Sequence, residues 1–231
     1  MSRGLADGAC LIRRAMDLAI AAALESIRPT RDEVTLLDIG GRGRPYAGIV
    51  AFRLGRDGRR VRHVVVDPGD AAGFVAMAES LPIVSGAADV VLCTQVLEHV
   101  AGPERAVSEM ARVLRPGGTC LLTTHGTWFY HPDPQDYWRW TPAGLERIFT
   151  QAGFSDVKVS PVGGTKLALA TLTLTALERS AGDGAAGGLL RSLVVAPANW
   201  IAWRLLGGRV TGRASTPGEL AIDYLVTATR R

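Results

Sequence analysis

The stretch Asp89-Val90-Val91-Leu92-Cys93-Thr94-Gln95-Val96-Leu97-Glu98-His99-Val100, followed by Arg112-Val113-Leu114-Arg115-Pro116-Gly117-Gly118, decides the fold. Asp89 to Thr94 is a short apolar run of the kind buried in a parallel sheet. Pro103 suits the first turn of a helix, where its missing N–H is not needed. That helix carries Val107, Met110, Ala111 and Leu114 on one face and stops at Arg115-Pro116-Gly117-Gly118. Thr119 to Thr124 is the next strand, so the segment is a strand–helix–strand unit.

The same alternation continues in both directions. Toward the N-terminus lie a short third strand within Phe74 to Glu79, a strand from Val61 to Val66 ending in Asp67-Pro68-Gly69, and a helix from Tyr46. Before them come a glycine cluster, a strand from Val34 to Ile39 and a helical pattern from Leu5 to Ile27. Toward the C-terminus, Thr141-Pro142 caps a helix running to Gly153, Val157 to Ser160 begins a sixth strand, and Ala221 to Thr229 is the last. The last strand alternates with period two, which predicts an antiparallel edge strand. The predicted fold is α/β: a Rossmann-like seven-stranded, mostly parallel sheet with helices on both faces and an antiparallel last strand. One domain spans 1–231, with an N-terminal helix in 1–30 and a helical insertion, 163–217, before the last strand.

Composition narrows the function. With 47% hydrophobic and 21% charged residues, the chain is too apolar for disorder. Its net charge of +4 raises the question of a polyanionic partner. The arginines (Arg13, Arg56, Arg112, Arg147, Arg191 among them) are spread along the chain, whereas nucleic-acid binding needs clustered charge. No RNA-binding module and no N/D-P-P-Y signature accompanies them, so nucleic acid is not an expected partner. Cys10, Cys93 and Cys120 fit neither a disulfide framework nor metal-ligand spacing, and suit a reducing cytoplasm. Asp17 and Glu25 interrupt the apolar run that follows Arg13-Arg14, which reads as an amphipathic helix and not a signal peptide.

Leu36-Leu37-Asp38-Ile39-Gly40-Gly41-Arg42-Gly43 places a glycine-rich turn after the first strand, where a ligand can approach the backbone. It lacks the G-x-G-x-x-G spacing and the lysine of phosphate-binding loops. Asp67, at the end of the second strand, can accept hydrogen bonds from two ribose hydroxyls, or can simply belong to a turn.

With the Asp89–Val100 and Arg112–Gly118 pair in order behind these elements, the sequence resembles the class I S-adenosylmethionine (SAM)-dependent methyltransferases. The group it resembles carries D-x-V-x-x-x-x-V-L-E-H-V followed by R-V-L-[KR]-P-G-G, and the resemblance runs from about Leu36 to Val159. It implies SAM as cofactor, with Asp38, Gly40 and Gly43 around the methionine part, Asp67 on the ribose hydroxyls and Pro68 beside the adenine. Leu81 would flank the adenine and Gln95 would line the floor near the sulfonium. Two positions depart from the pattern. Arg42 stands where the group has glycine, with glycine displaced to Gly43, and no acidic residue near Met77 grips the adenine amine.

The run from Thr124 to Thr141 holds six of the chain's fourteen aromatic residues and two of its four histidines. Its H-P-x-P-x-D-Y-W-R-W-T core is similar to bacterial methyltransferases of glycan and secondary-metabolite pathways. Trp128, Tyr130, Tyr137, Trp138 and Arg139 are candidate substrate contacts, because ligands of open α/β sheets sit beyond the strands' carboxyl ends. A rigid loop plugging the sheet end is the competing reading. His131 and His125 are the candidate general bases, with Asp133 and Asp136 behind them. His99 and Glu98 read as structural, and no metal site is expected. The expected reaction is methylation of a hydroxyl on a small-molecule or glycan acceptor in natural-product or polysaccharide biosynthesis. Arg42 also admits a non-catalytic scaffold with the same fold. The apolar insertion leaves three readings open: a substrate lid, a homodimer interface, or a peripheral membrane contact for a lipid-linked substrate.

Overall fold

The structure, a computed structural model, describes residues 5–69, 74–133, 135–182, 184–207 and 216–231. Asp70, Pro134 and the 208–215 part of the predicted insertion lie outside them. A seven-stranded sheet runs in the order β3-β2-β1-β4-β5-β7-β6. Its strands are β1 (Glu33–Ile39), β2 (Arg60–Asp67), β3 (Phe74–Val75), β4 (Ala88–Thr94), β5 (Leu114–His125), β6 (Phe154–Val162) and β7 (Asp223–Arg230). Neighbours from β3 to β5 pair in parallel, and β7 runs antiparallel to both β5 and β6.

Successive side chains of a strand point to opposite faces, and here that alternation sorts two cores. Leu37, Ile39, Val91, Cys93 and Leu122 face a core with Val107 and Met110 of α3 (Pro103–Val113) and Phe149 of α4 (Pro142–Gln151). Their neighbours Leu36, Val90, Leu92 and Leu121 face the second core. That face is covered by α1 (Cys10–Ser26), α2 (Ala47–Leu54) and α5 (Thr165–Ser180). α6 (Ala185–Leu190), a π-helical turn (Arg191–Val195) and α7 (Ala196–Leu206) complete the insertion. Leu92, fully buried in a central strand, is a position where truncation to alanine costs about 2–5 kcal/mol.

The motif residues are staples. The buried Asp89 carboxylate accepts from the Thr35 amide of β1 at 2.7 Å and pairs with Arg115 Nε at 2.7 Å. That pairing draws Arg115-Pro116-Gly117-Gly118 onto the sheet. The expected stop therefore lies within β5, which starts at Leu114 and slips register against β4 between Ala88 and Val90.

The expected edge position of the last strand is corrected: β7 is internal, and β6 is the edge. Alternation in β7 separates one core from the other, not core from solvent. Tyr224, Val226 and Ala228 join the first core, Ile222 and Leu225 the second. The edge devices sit on β6 instead, with a register shift between Ser155 and Lys158, and Pro161 in the strand.

The insertion packs back on the N-terminal helix. Asn199 of α7, fully buried, donates through Nδ2 to the carbonyls of Leu5 and Asp7 at 2.8 and 2.9 Å. At Gly8 the N-terminal segment crosses α5 so closely that a Cβ would come within 2.6 Å of Thr175 Cα. Leu189, Leu193, Trp200, Ile201 and Leu205 stay exposed on the outer side. No helix among the described residues is long and apolar enough to cross a membrane.

Candidate functional site

The carboxyl ends of β1, β2 and β4 meet at the glycine turn. Gly40 has φ +76°, and a Cβ there would lie 2.2 Å from Val96 Cγ2, so only glycine fits. Gly43 has φ +78° with open space beyond it. Asp67 ends β2, half-buried, its Oδ1 accepting from the Gly69 amide at 2.8 Å. Gln95, just past β4, sits in the left-handed region at φ +55°, a strained conformation of the kind that clusters at ligand sites. Backbone laid bare by Gly40 and Gly43, beside a carboxylate and a strained strand end, fits a nucleoside with a charged amino-acid tail.

Three residues are placed differently from expectation, and the departure at Arg42 gains a location. Asp38 is fully buried beneath the turn, against the space above Gly41, and its Oδ2 meets His63 Nε2 at 2.9 Å. It lies directly beneath the turn. Leu81 turns its side chain into the first core, while its amide donates to Glu109 Oε2 at 2.8 Å and its carbonyl accepts from Arg112. The side chain of Gln95 points back to the sheet, donating to Thr123 Oγ1 and Asp223 Oδ1 at 3.2 and 3.3 Å. Arg42, exposed, lays Nη1 within 2.7 Å of where a Cβ on Gly69 would stand, beside the Asp67 carboxylate.

Beyond β5 the histidines gather. His125 Nδ1 meets Asp223 Oδ1 at 2.6 Å, and its Nε2 lies 3.5 Å from Glu98 Oε1. The His131 ring centre is 5.1 Å from that of His125 and 5.0 Å from that of His99. Burial disfavours a charge on His125, but the hydrogen bond and charge of Asp223, with Glu98 behind, outweigh it and raise its pKa. Burial raises the Glu98 carboxyl against the opposing pull of His125. His131 shifts the other way: burial and the neighbouring His125 lower its pKa, despite Asp136. Its Nδ1 lies 3.2 Å from the Phe129 carbonyl. A carbonyl can only accept, so Nδ1 carries the proton and Nε2 keeps a lone pair.

Glu98 and Arg139 hold the aromatic loop. The Glu98 carbonyl accepts from the amides of Tyr137 and Trp138, and Trp138 Nε1 donates to the Val100 carbonyl at 2.8 Å. Arg139 donates twice to Asp136, at 2.6 Å each, and also to the carbonyls of Trp128, Phe129 and Trp138. All five of its N–H groups are thereby used. The expected substrate clamp is a loop fastener. Tyr130 is 71% exposed and Tyr137 52%, while Trp128 stacks on His125.

A cavity of about 400 Å³ opens between this loop, the N-terminal segment and α5, with Trp128, His131, Thr175, Arg13, Arg179 and Arg191 among its walls. The sequence reading missed Asp223, Thr175 and the wall arginines. Asp223 alone left a trace, as an acid inside an apolar strand. Glu98, His99 and His131 also bring potential metal-ligand atoms within 4.8 Å of one another, a grouping the sequence did not suggest.

Sheet order and carboxyl-edge site together define the class I methyltransferase fold. The sequence signature described as a methyltransferase domain matches residues 48–122. It is 38% identical over 99 residues to an uncharacterized methyltransferase of Mycobacterium sp. (strain JLS), covering 38% of each chain. To a namesake from Mycobacterium ulcerans (strain Agy99) it is 35% identical over 129 residues, covering 51% of this chain and 47% of that one. The chain thus spans less than half the length of these relatives. Among solved structures it superposes on Haemonchus contortus phosphoethanolamine N-methyltransferase 2, in complex with phosphomonomethylethanolamine and S-adenosylhomocysteine. The TM-score is 0.56 at 18% identity, over 93% of this chain and 52% of that one. The [4+2]-cyclase SpnF shares the fold at TM-score 0.52 and 16% identity, over 93% of this chain and 81% of that one. A fold shared with a cyclase leaves the reaction to be argued from the site.

Proposed function

We propose that the protein is an enzyme that transfers the methyl group of SAM to a hydroxyl of a small-molecule, sugar or lipid-linked acceptor. One observation carries this reading. An unbroken row of contacts joins the cofactor edge to the cavity: Gln95 to Asp223 at 3.3 Å, Asp223 to His125 at 2.6 Å, and His125 to His131 at 5.1 Å between ring centres.

The backbone of Gly40 and Gly43 would receive the methionine part, Asp67 would accept from the ribose hydroxyls, Pro68 would lie by the adenine, and the Gln95 backbone, not its side chain, would form the floor. When bound, SAM supplies a methyl group already activated by its sulfonium, so alignment and water exclusion are the protein's main task. Of the two candidate bases, His131 lines the cavity and is held neutral, with Nε2 open to take the acceptor's proton. His125, biased toward its charged form, orients the cluster behind it. Because the methyl group needs no further activation, the reaction runs without a metal. Dialysis against a chelator then leaves the rate unchanged, and a loss restored by zinc would instead make Glu98, His99 and His131 a metal centre.

Calorimetric titration with S-adenosylhomocysteine tests the whole reading. Binding at one site per chain supports it. Absence of binding favours a non-catalytic scaffold of the same fold. Radiolabelled SAM incubated with the protein and a cell extract then identifies the acceptor.

A further inference from the structure

The cavity walls point to the chemistry of the acceptor. Two carboxylates on the wall are already matched. Asp7 pairs with Arg13 and accepts from the Ala9 amide, while Glu178 accepts from the Gly8 amide at 2.7 Å and lies 3.5 Å from Arg191. Arg179 has no carboxylate within ion-pair distance among the described residues. Its guanidinium rests over the Phe129 ring, 4.6 Å from the centroid, which sets it at the foot of the aromatic loop. A cation over an aromatic face keeps its N–H edge available to a further partner.

The second observation is independent. Thr175 is only 4% exposed, lines the same cavity, and its Oγ1 has no hydrogen-bond partner. One turn earlier in the same helix, Thr171 Oγ1 donates to the Leu167 carbonyl at 2.8 Å. That backbone bond is the usual refuge of a helical hydroxyl, and Thr175 does not take it. A buried hydroxyl left without a partner is unfavourable, and a bound acceptor atom would supply the missing partner.

We propose that the acceptor carries an anionic group, carboxylate or phosphate, held by Arg179 and Thr175, which aims its hydroxyl at His131. The inference rests on the reading of this cavity as the acceptor site. A planar guanidinium fork and a hydroxyl donor together match the lone pairs of such an oxyanion. Its volume of about 400 Å³ suits a small aromatic or sugar acid. Arg179 and Thr175 come from the insertion, outside the part of the chain that matches the methyltransferase domain. Specificity is thus supplied by the added helix.

Calorimetry on the full chain, with and without bound S-adenosylhomocysteine, uses p-hydroxybenzoate, its neutral amide p-hydroxybenzamide, and inorganic phosphate as probes. The expected result is that at least one anion binds, that the amide does not, and that R179Q and T175V each weaken the anion about ten-fold or more. Benzoate binding without phosphate marks a carboxylate site, and the reverse marks a phosphoryl site. Neither anion binding, equal binding of the amide, or affinity unchanged in both variants overturns the proposal. S-adenosylhomocysteine affinity and melting temperature, unchanged in both variants, show that the fold is intact. A wild-type chain that binds the anion but not S-adenosylhomocysteine would sink the methyl-transfer reading, and with it the acceptor, and leave only an anion site at Arg179 and Thr175.

Discussion

The cofactor edge and the acceptor cavity are built in opposite ways. At the edge, Gly40, Asp67 and Gln95 stand at the ends of adjacent strands, and parallel register alone brings them together. At the cavity, the walls are joined across the chain: Gly8 to Glu178 spans 170 residues and Asn199 to Leu5 spans 194. The first is a property of the sheet and tolerates many acceptors. The second is a property of one particular packing of the N-terminal segment against the insertion. On the proposed function the fold separates donor handling from acceptor choice, and variants in one region are expected to leave binding in the other intact.

The largest test of that separation is H131A. Loss of a general base lowers kcat by about 10²–10⁴-fold, read as labelled methyl incorporation into extract, while S-adenosylhomocysteine binding stays at the wild-type value. A parallel fall in cofactor affinity would show that the two regions are one unit. The converse test is G40V. At φ +76° a β-branched residue is strained by about 1–3 kcal/mol, and its Cβ also strikes Val96. Cofactor affinity then drops about 100-fold, equivalent to about 2.7 kcal/mol, while anion binding in the cavity persists. Equal losses in both titrations would contradict the separation.

The same contrast explains what could be read from the sequence. Strand and helix spans follow periodicity, so β1, β2, β4, α3 and α4 lie close to where the apolar patterns put them. Asp67 and the glycine turn follow from position at strand ends. Side-chain direction was not legible. Leu81 was expected at the adenine, yet the pair Glu109–Arg112 pins its backbone so that the side chain enters the core. Arg139 read as a candidate substrate contact because nothing local shows that three carbonyls and Asp136 converge on it. Thr175 is one of several threonines in a leucine-rich helix, and only the crossing of Gly8 makes it a wall. The place of β7 inside the sheet was missed because alternation reports two different faces without saying what covers them.

A smaller effect is expected at Arg42, where the proposed cofactor edge departs from the pattern of the methyltransferases the sequence resembles. Its guanidinium and the Asp67 carboxylate both crowd the Gly69 Cβ position, so on the proposed function it would compete with the ribose hydroxyls for Asp67. R42G removes that competitor and relaxes the turn, raising S-adenosylhomocysteine affinity about three- to ten-fold, or about 0.7–1.4 kcal/mol. Weaker binding by R42G would mean that the arginine grips the cofactor, and that this edge recognises it through a side chain the family pattern does not provide.

The smallest effect probes Asp223, which touches both regions, through Gln95 on one side and His125 on the other. His125 has a folded pKa raised above 6.5, so its contribution to stability is fully present below that pH and is lost as pH rises through the raised value. Glu98, also raised, acts with the same sign in a window that opens at 4.5. His131 has the opposite sign, because its lowered folded pKa gives stability that is present above 6.5 and lost as pH falls. Between pH 6.5 and 8, below the range in which the buried Cys10, Cys93 and Cys120 thiols, also raised from 9.0, add a decline of the same sign, the loss belongs mainly to the Asp223–His125–Glu98 row. In D223N the imidazolium loses its carboxylate, burial dominates, and the His125 pKa falls. Melting temperatures measured from pH 6.5 to 8 should slope downward in the wild type and lie nearly flat in D223N. An identical slope in both would remove Asp223 as the residue that charges His125. Cofactor affinity measured on the same variant then decides whether the bridge transmits anything: a value equal to wild type means that Gln95 holds its strained backbone without Asp223, and that the two regions share a contact but not an energy.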